Sequence, residues 1–91
     1  MSRVRSDDLE VADGLRNAIY MFDDRHPLGR PPGWFYKNLL NCIAYADDVN
    51  TARLERGYRD LVWAVRTLQR EELGYEMVAS TIRFLEGSDD E

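Results

Sequence analysis

Apolar residues recur at helical spacing through most of the chain. Val11, Leu15, Ala18, Ile19 and Phe22 form a first stripe, and Asp7 with Glu10 three positions later reads as a capping box ahead of it. The pattern predicts a helix from about Asp8 to about Asp24. Gly14 falls inside it at a cost of about 1 kcal/mol relative to alanine, which implies compensating packing or a second helix approaching closely there. The segment from Asp23 to Gly33 holds all three prolines and reads as a loop.

Beyond the loop, Pro32 suits a first helical turn, and Phe35, Leu39, Cys42, Ile43 and Ala46 make the next stripe. Trp34, Tyr36, Leu40 and Tyr45 extend apolar surface around most of the remaining circumference, so this second helix is expected to be the central and most buried one. Asp47 and Asp48 interrupt it and offer N-cap oxygens to a short third helix, Val49 to Arg56, which Gly57 can end in the left-handed conformation. A fourth helix follows from about Tyr58 to Glu72 with Tyr58, Leu61, Val62, Val65 and Leu68 inward. Gly74 marks a break, and Tyr75, Val78, Ala79, Ile82 and Leu85 carry a fifth.

No segment shows sustained alternation, so the expected fold class is all-α, a small single-domain bundle of four to five helices over residues 1–86. The β-branched residues between Met77 and Leu85 leave a terminal strand as the alternative there. Residues 87–91 read as a disordered acidic tail.

Composition narrows the function classes. The chain has 91 residues, 44% of them hydrophobic, with a net charge of −5. A chain of this size leaves little room for a large catalytic cleft. The single cysteine forms no internal disulfide, and its place on the second stripe predicts a buried structural thiol. His26, the single histidine, builds no His-rich metal site; Asp23 and Asp24 could orient it for acid–base work, or it is simply a loop residue beside a helix end. The adjacent carboxylate pairs lack the spacing of a di-metal site, and the glycines form no phosphate loop. The expectation is a protein that is not an enzyme, with no cofactor and no metal. No charge-free stretch is long enough to span a bilayer and no apolar leader opens the chain, so a soluble cytoplasmic protein is expected, without a membrane partner.

Charge is segregated: residues 1–24 sum to −3, 25–52 to +1, 53–70 to +3 and 71–91 to −6. Within the basic segment Arg59, Trp63, Arg66 and Arg70 fall on one line of the fourth helix, opposite its apolar stripe. Trp and Arg dominate interface hot spots, so this line is the first candidate for binding a protein partner or a second copy, the alternative being that Trp63 packs inward under arginine stems. Trp34, Asn38, Asn41 and Tyr45 share a face of the second helix at the same spacing and form a secondary candidate. Met77 and Phe84 fall together on the outer side of the fifth helix, where the loop or a second subunit could cover them.

A nucleic-acid-directed role is the alternative. The third helix, Gly57 and the fourth helix imitate a helix-turn-helix in outline, and the arginine line suits phosphates. Against it, Arg53 and Arg56 occupy positions that such a motif needs small or apolar, and the net charge repels a polyanion, so nucleic acid is disfavoured as a partner. Mimicry of DNA by the acidic exterior, inhibiting a nucleic-acid enzyme, is the other form of this alternative.

From about Leu28 to Arg66 the chain resembles short uncharacterised accessory proteins encoded by bacteriophages of actinobacteria. The likeness rests on Pro31-Pro32-Gly33 opening an apolar helix, Ala46-Asp47, Asn50, Arg53-Leu54, Tyr58 and the Leu61-Val62 pair, while Arg59 stands where that pattern often carries a proline. The resemblance implies a small helical viral or prophage protein that acts in the host cytoplasm on host machinery or virus assembly, with no catalytic residues to carry over.

Overall fold

A computed structural model describes residues 6–87. The acidic-tail expectation falls, apart from Gly87, on residues 88–91, outside the described residues. Four α-helices follow one another: α1 (Ser6–Phe22), α2 (Trp34–Tyr45), α3 (Asp48–Arg70) and α4 (Gly74–Leu85). The described residues contain no strand, and the 77–85 run is helical. The all-α bundle is therefore the fold.

The core is built from the apolar stripes of α1, α3 and α4, with Leu40 and Ile43 of α2 closing one side. Ala12, Leu15, Ala18 and Ile19 of α1 are buried against Leu61, Val62 and Val65 of α3 and Val78 and Ile82 of α4. Gly14 lets α3 approach: a Cβ there would lie 2.9 Å from Leu61 Cδ2. Because α1 begins at Ser6, Asp7 and Asp8 stand in its first turn, where they complement the helix dipole, and Asp7 is not the cap.

The third and fourth expected helices are two arms of one element. α3 runs from Asp48 to Arg70 with one non-helical residue, Tyr58 (φ −133°, ψ 46°), at which it bends. Gly57 does not end an arm in the left-handed region; Gly87 (φ 77°) is the positive-φ glycine among the described residues. The cap expectation holds for Asp47, which accepts the Asn50 amide at 2.8 Å and opens the helix, while Asp48 is already its first residue rather than a cap. Gly74 is the first residue of α4 rather than a break, since the break is Glu71 to Leu73. A Cβ at Gly74 would sit 2.6 Å from the Thr67 carbonyl, so α4 starts directly on the α3 backbone.

The largest departure concerns α2. It touches only α1 and α3, and its buried residues are Leu40 and Ile43, whereas α1 and α3 each meet all three other helices and are the central pair. Cys42 is exposed, not buried. The reason is phase: α2 is apolar nearly all round, and the core takes the side centred on Tyr36, Leu40 and Ile43, which turns Cys42 and Phe35 outward. The helix starts at Trp34, and Pro31, Pro32 and Gly33 form its extended lead-in, Gly33 serving as N-cap (φ −72°, ψ 178°).

The loop before α2 is stitched to α1. Asn17, buried, donates to the Arg30 carbonyl at 2.8 Å, the Arg30 amide donates to the Arg16 carbonyl at 3.2 Å, and Arg30 pairs with Asp13 at 2.6 Å. Gly29 lies against Tyr20, where a Cβ would meet the Tyr20 Cα at 3.2 Å. This strap carries the chain into α2 along α1.

Candidate functional site

The outer face of α2 arises from the same phase. With Tyr36, Leu40 and Ile43 inward, Trp34, Asn38, Asn41 and Tyr45 lie diametrically opposite. Trp34 is 80% exposed and Tyr45 88%, with the two amides exposed between them. Asn38 Nδ2 donates to the Trp34 carbonyl at 2.8 Å within the helix. No charged side chain falls on this line. At one end Phe35 packs edge-on against Tyr36 with centroids 5.6 Å apart, and its ring faces Tyr58 at 6.5 Å. Beside the line opens a groove of about 660 Å³ whose walls include Tyr20, Phe22, Pro31, Pro32, Lys37 and Asn41, so Asn41 belongs to both.

The Arg59, Trp63, Arg66 and Arg70 line occupies a different setting. The bend at Tyr58 folds the N-terminal arm of α3 back, and these four residues line a cleft of about 470 Å³ between the arms. Trp63 is 37% exposed, so roughly two thirds of it is covered by its own chain. Asp48, Glu55 and Glu71 share the cleft and place carboxylates among the guanidiniums.

Arg66 is committed internally. Its Nη2 donates to Thr51 Oγ1 at 2.6 Å and to the Ala46 carbonyl at 3.2 Å, and Nη1 donates to Gln69 Oε1 at 2.7 Å. Gln69 Nε2 in turn donates to the Ala44 carbonyl at 3.1 Å. The last turn of α2 has no basic residue of its own, so Arg66 and Gln69 supply the donors that its terminal carbonyls need. Arg59 and Arg70 remain exposed.

His26 closes the loop. Its Nδ1 accepts the Leu28 amide at 3.1 Å and its ring stacks on Tyr75, centroids 5.5 Å apart and 15° from parallel. Burial, then the Asp23 charge, push the Tyr75 phenol above its ordinary 10.0. Among the described residues no three His, Cys, Asp or Glu side chains gather as a cation site.

Sequence reasoning missed the Arg16–Glu86 pair. Arg16 donates from Nε to Glu86 Oε2 at 2.9 Å and from Nη2 to Oε1 at 2.7 Å, a bidentate contact, and Nη1 reaches the Leu28 carbonyl at 3.2 Å. The hydrogen bond from Arg16 holds the Glu86 carboxyl below its usual range. Seventy positions separate the partners, and no local pattern announces such a pair.

Among the described residues the chain is a small bundle of four helices whose two most exposed aromatic residues, Trp34 and Tyr45, stand on one peripheral helix. No protein-family model matches the chain, and neither a curated protein nor a solved structure matches it. Among the described residues no helix is long and apolar enough to cross a membrane.

Proposed function

We propose that this chain is a non-catalytic protein-interaction module that docks a protein partner through Trp34, Asn38, Asn41 and Tyr45. One observation carries the reading: two large rings, 80% and 88% exposed, stand on one line of α2. A helix apolar around most of its circumference is ordinarily buried. Leaving such rings in water forgoes on the order of 2 kcal/mol each, which a partner would recover. Eleven residues of rise separate them by about 16 Å, a span suited to a helix or a flat strip of partner surface. The amides between them supply directional hydrogen bonds that set register. The likeness to accessory proteins of actinobacterial phages is in keeping with a small virus-encoded or prophage-encoded binder of this kind.

The arginine line has less support as the main docking surface, because Arg66 is bonded within α3 and Trp63 is mostly covered. The same facts weaken a nucleic-acid-directed reading, since Asp48, Glu55 and Glu71 interrupt the path that phosphates would follow past Arg59 and Arg70.

Capture from the native host, followed by mass spectrometry, tests the proposal with two double variants. Trp34→Ala with Tyr45→Ala should abolish capture of the partner while helicity by circular dichroism is kept. Arg59→Ala with Arg70→Ala should leave it intact. The reverse pattern would move the docking surface to α3, and salt-sensitive retardation of DNA in a gel would favour the nucleic-acid reading.

A further inference from the structure

α4 has a second face. Val78, Ala79 and Ile82 are buried against the bundle, and roughly 150° round the helix Leu73, Met77, Ser80, Thr81 and Phe84 form an uncharged outer stripe. Met77 is 43% exposed, Phe84 68%, and Leu73 at the N-cap is exposed as well. The Pro-rich loop does not cover this stripe. It is strapped to α1, and it reaches α4 through His26 stacked on Tyr75, on the opposite side of the helix.

We propose that a second copy of this chain covers the stripe, α4 against α4 in antiparallel register about a two-fold axis near Ser80. The shape of the stripe is self-complementary. Bulky Leu73 and Met77 stand at one end and Phe84 at the other, with small Ser80 and Thr81 between them, so antiparallel pairing lays Phe84 of one copy over Met77 and Leu73 of the other while the two backbones approach at the centre. Burial there strands no hydroxyl of Thr81, because its Oγ1 already donates to the Met77 carbonyl at 3.0 Å.

Charge selects the direction. Glu76 and Arg83 lie on the same flank of the stripe, seven positions apart and on either side of Ser80. Antiparallel pairing keeps that flank in common and sets Glu76 of one copy beside Arg83 of the other, whereas parallel pairing about a two-fold would carry the flank to opposite sides of the seam and form neither pair. An isologous contact of this kind closes at the dimer. Its extent is modest: the 12 residues of α4 make a seam about 18 Å long. A seam one short helix long buries less than the roughly 800 Å² per partner of a standard stable interface, so the association is expected to be weak.

Sedimentation equilibrium of the full chain from about 10 μM to about 1 mM tests this. The weight-average mass should rise from monomer towards dimer, and Phe84→Asp should weaken association at least about tenfold with helicity unchanged, since that ring is exposed. If Phe84→Asp loses helicity, Met77→Asp is read instead. Glu76→Arg should weaken association, and Glu76→Arg combined with Arg83→Glu should restore it. A chain that stays monomeric across the range, or a dimer indifferent to both stripe variants, overturns the proposal. A double charge reversal no better than the single one overturns the antiparallel register. Trp34→Ala with Tyr45→Ala should leave self-association unchanged, so failure of the α2 docking reading and failure of this one are separately visible.

Discussion

Arg66 Nη2 donates to Thr51 Oγ1 at 2.6 Å although fifteen residues of the same helical element separate them. In a straight helix those positions would stand about 22 Å apart. One guanidinium therefore holds the α3 corner closed and, through the Ala46 carbonyl, ties it to the end of α2.

Arg66→Ala should release the N-terminal arm of α3. It removes three hydrogen bonds and leaves the end of α2 with fewer donors, a cost of about 1–3 kcal/mol. Urea unfolding should show the lower midpoint, and amide exchange should accelerate over residues 48–57 more than in α1. Arg66→Lys, which keeps the charge without the fork, should fall between.

Acid should weaken the contact between α1 and the end of α4. Glu86 is held below its ordinary 4.5 in the folded chain, first by the hydrogen bond from Arg16 and also by its charge. Its contribution is thus present above pH 4.5 and is lost as pH falls through the lower folded value. Glu86→Gln should cost about 1 kcal/mol at pH 7 and flatten this part of the pH dependence. Thermal unfolding between pH 7 and pH 3 checks both outcomes.

Two glycines should respond differently to alanine. At Gly74 the new Cβ would meet the Thr67 carbonyl at 2.6 Å, a backbone atom that cannot step aside, so Gly74→Ala should cost about 2 kcal/mol or more. At Gly14 the neighbour is Leu61 Cδ2, the end of a flexible side chain, and the gain in helix propensity of about 1 kcal/mol offsets the crowding. Gly14→Ala should therefore shift the urea midpoint little.

Cys42 should react as a surface thiol. A disulfide reagent should modify one thiol per chain in the folded protein, without denaturant, at a rate close to that of the unfolded control. Protection that disappears only on unfolding would show that α2 is rotated from the phase described above.

The helices and most of their inward faces were legible in the sequence. In α1, the second arm of α3 and α4, apolar residues contrast with charged ones around the circumference, so Leu15, Ile19, Val62, Val65, Val78 and Ile82 announce both a period and a phase. The Asp47 cap was legible too, because it is a bond across three residues. Gly14 signalled a close neighbour without saying which.

What tertiary structure decided has one physical root: interactions between positions far apart in the chain. α2 has apolar residues on nearly every side, so its pattern sets a helix but no direction, and only packing against α1 and α3 chose Leu40 and Ile43 over Cys42. That choice also left Trp34 and Tyr45 in water. The bend at Tyr58 brought Arg66 to Thr51 and removed it from the exposed arginine line, and the packing of α4 against α1 brought Arg16 to Glu86. Periodicity reports which residues share a face; the chain must close on itself before any face is inside or out.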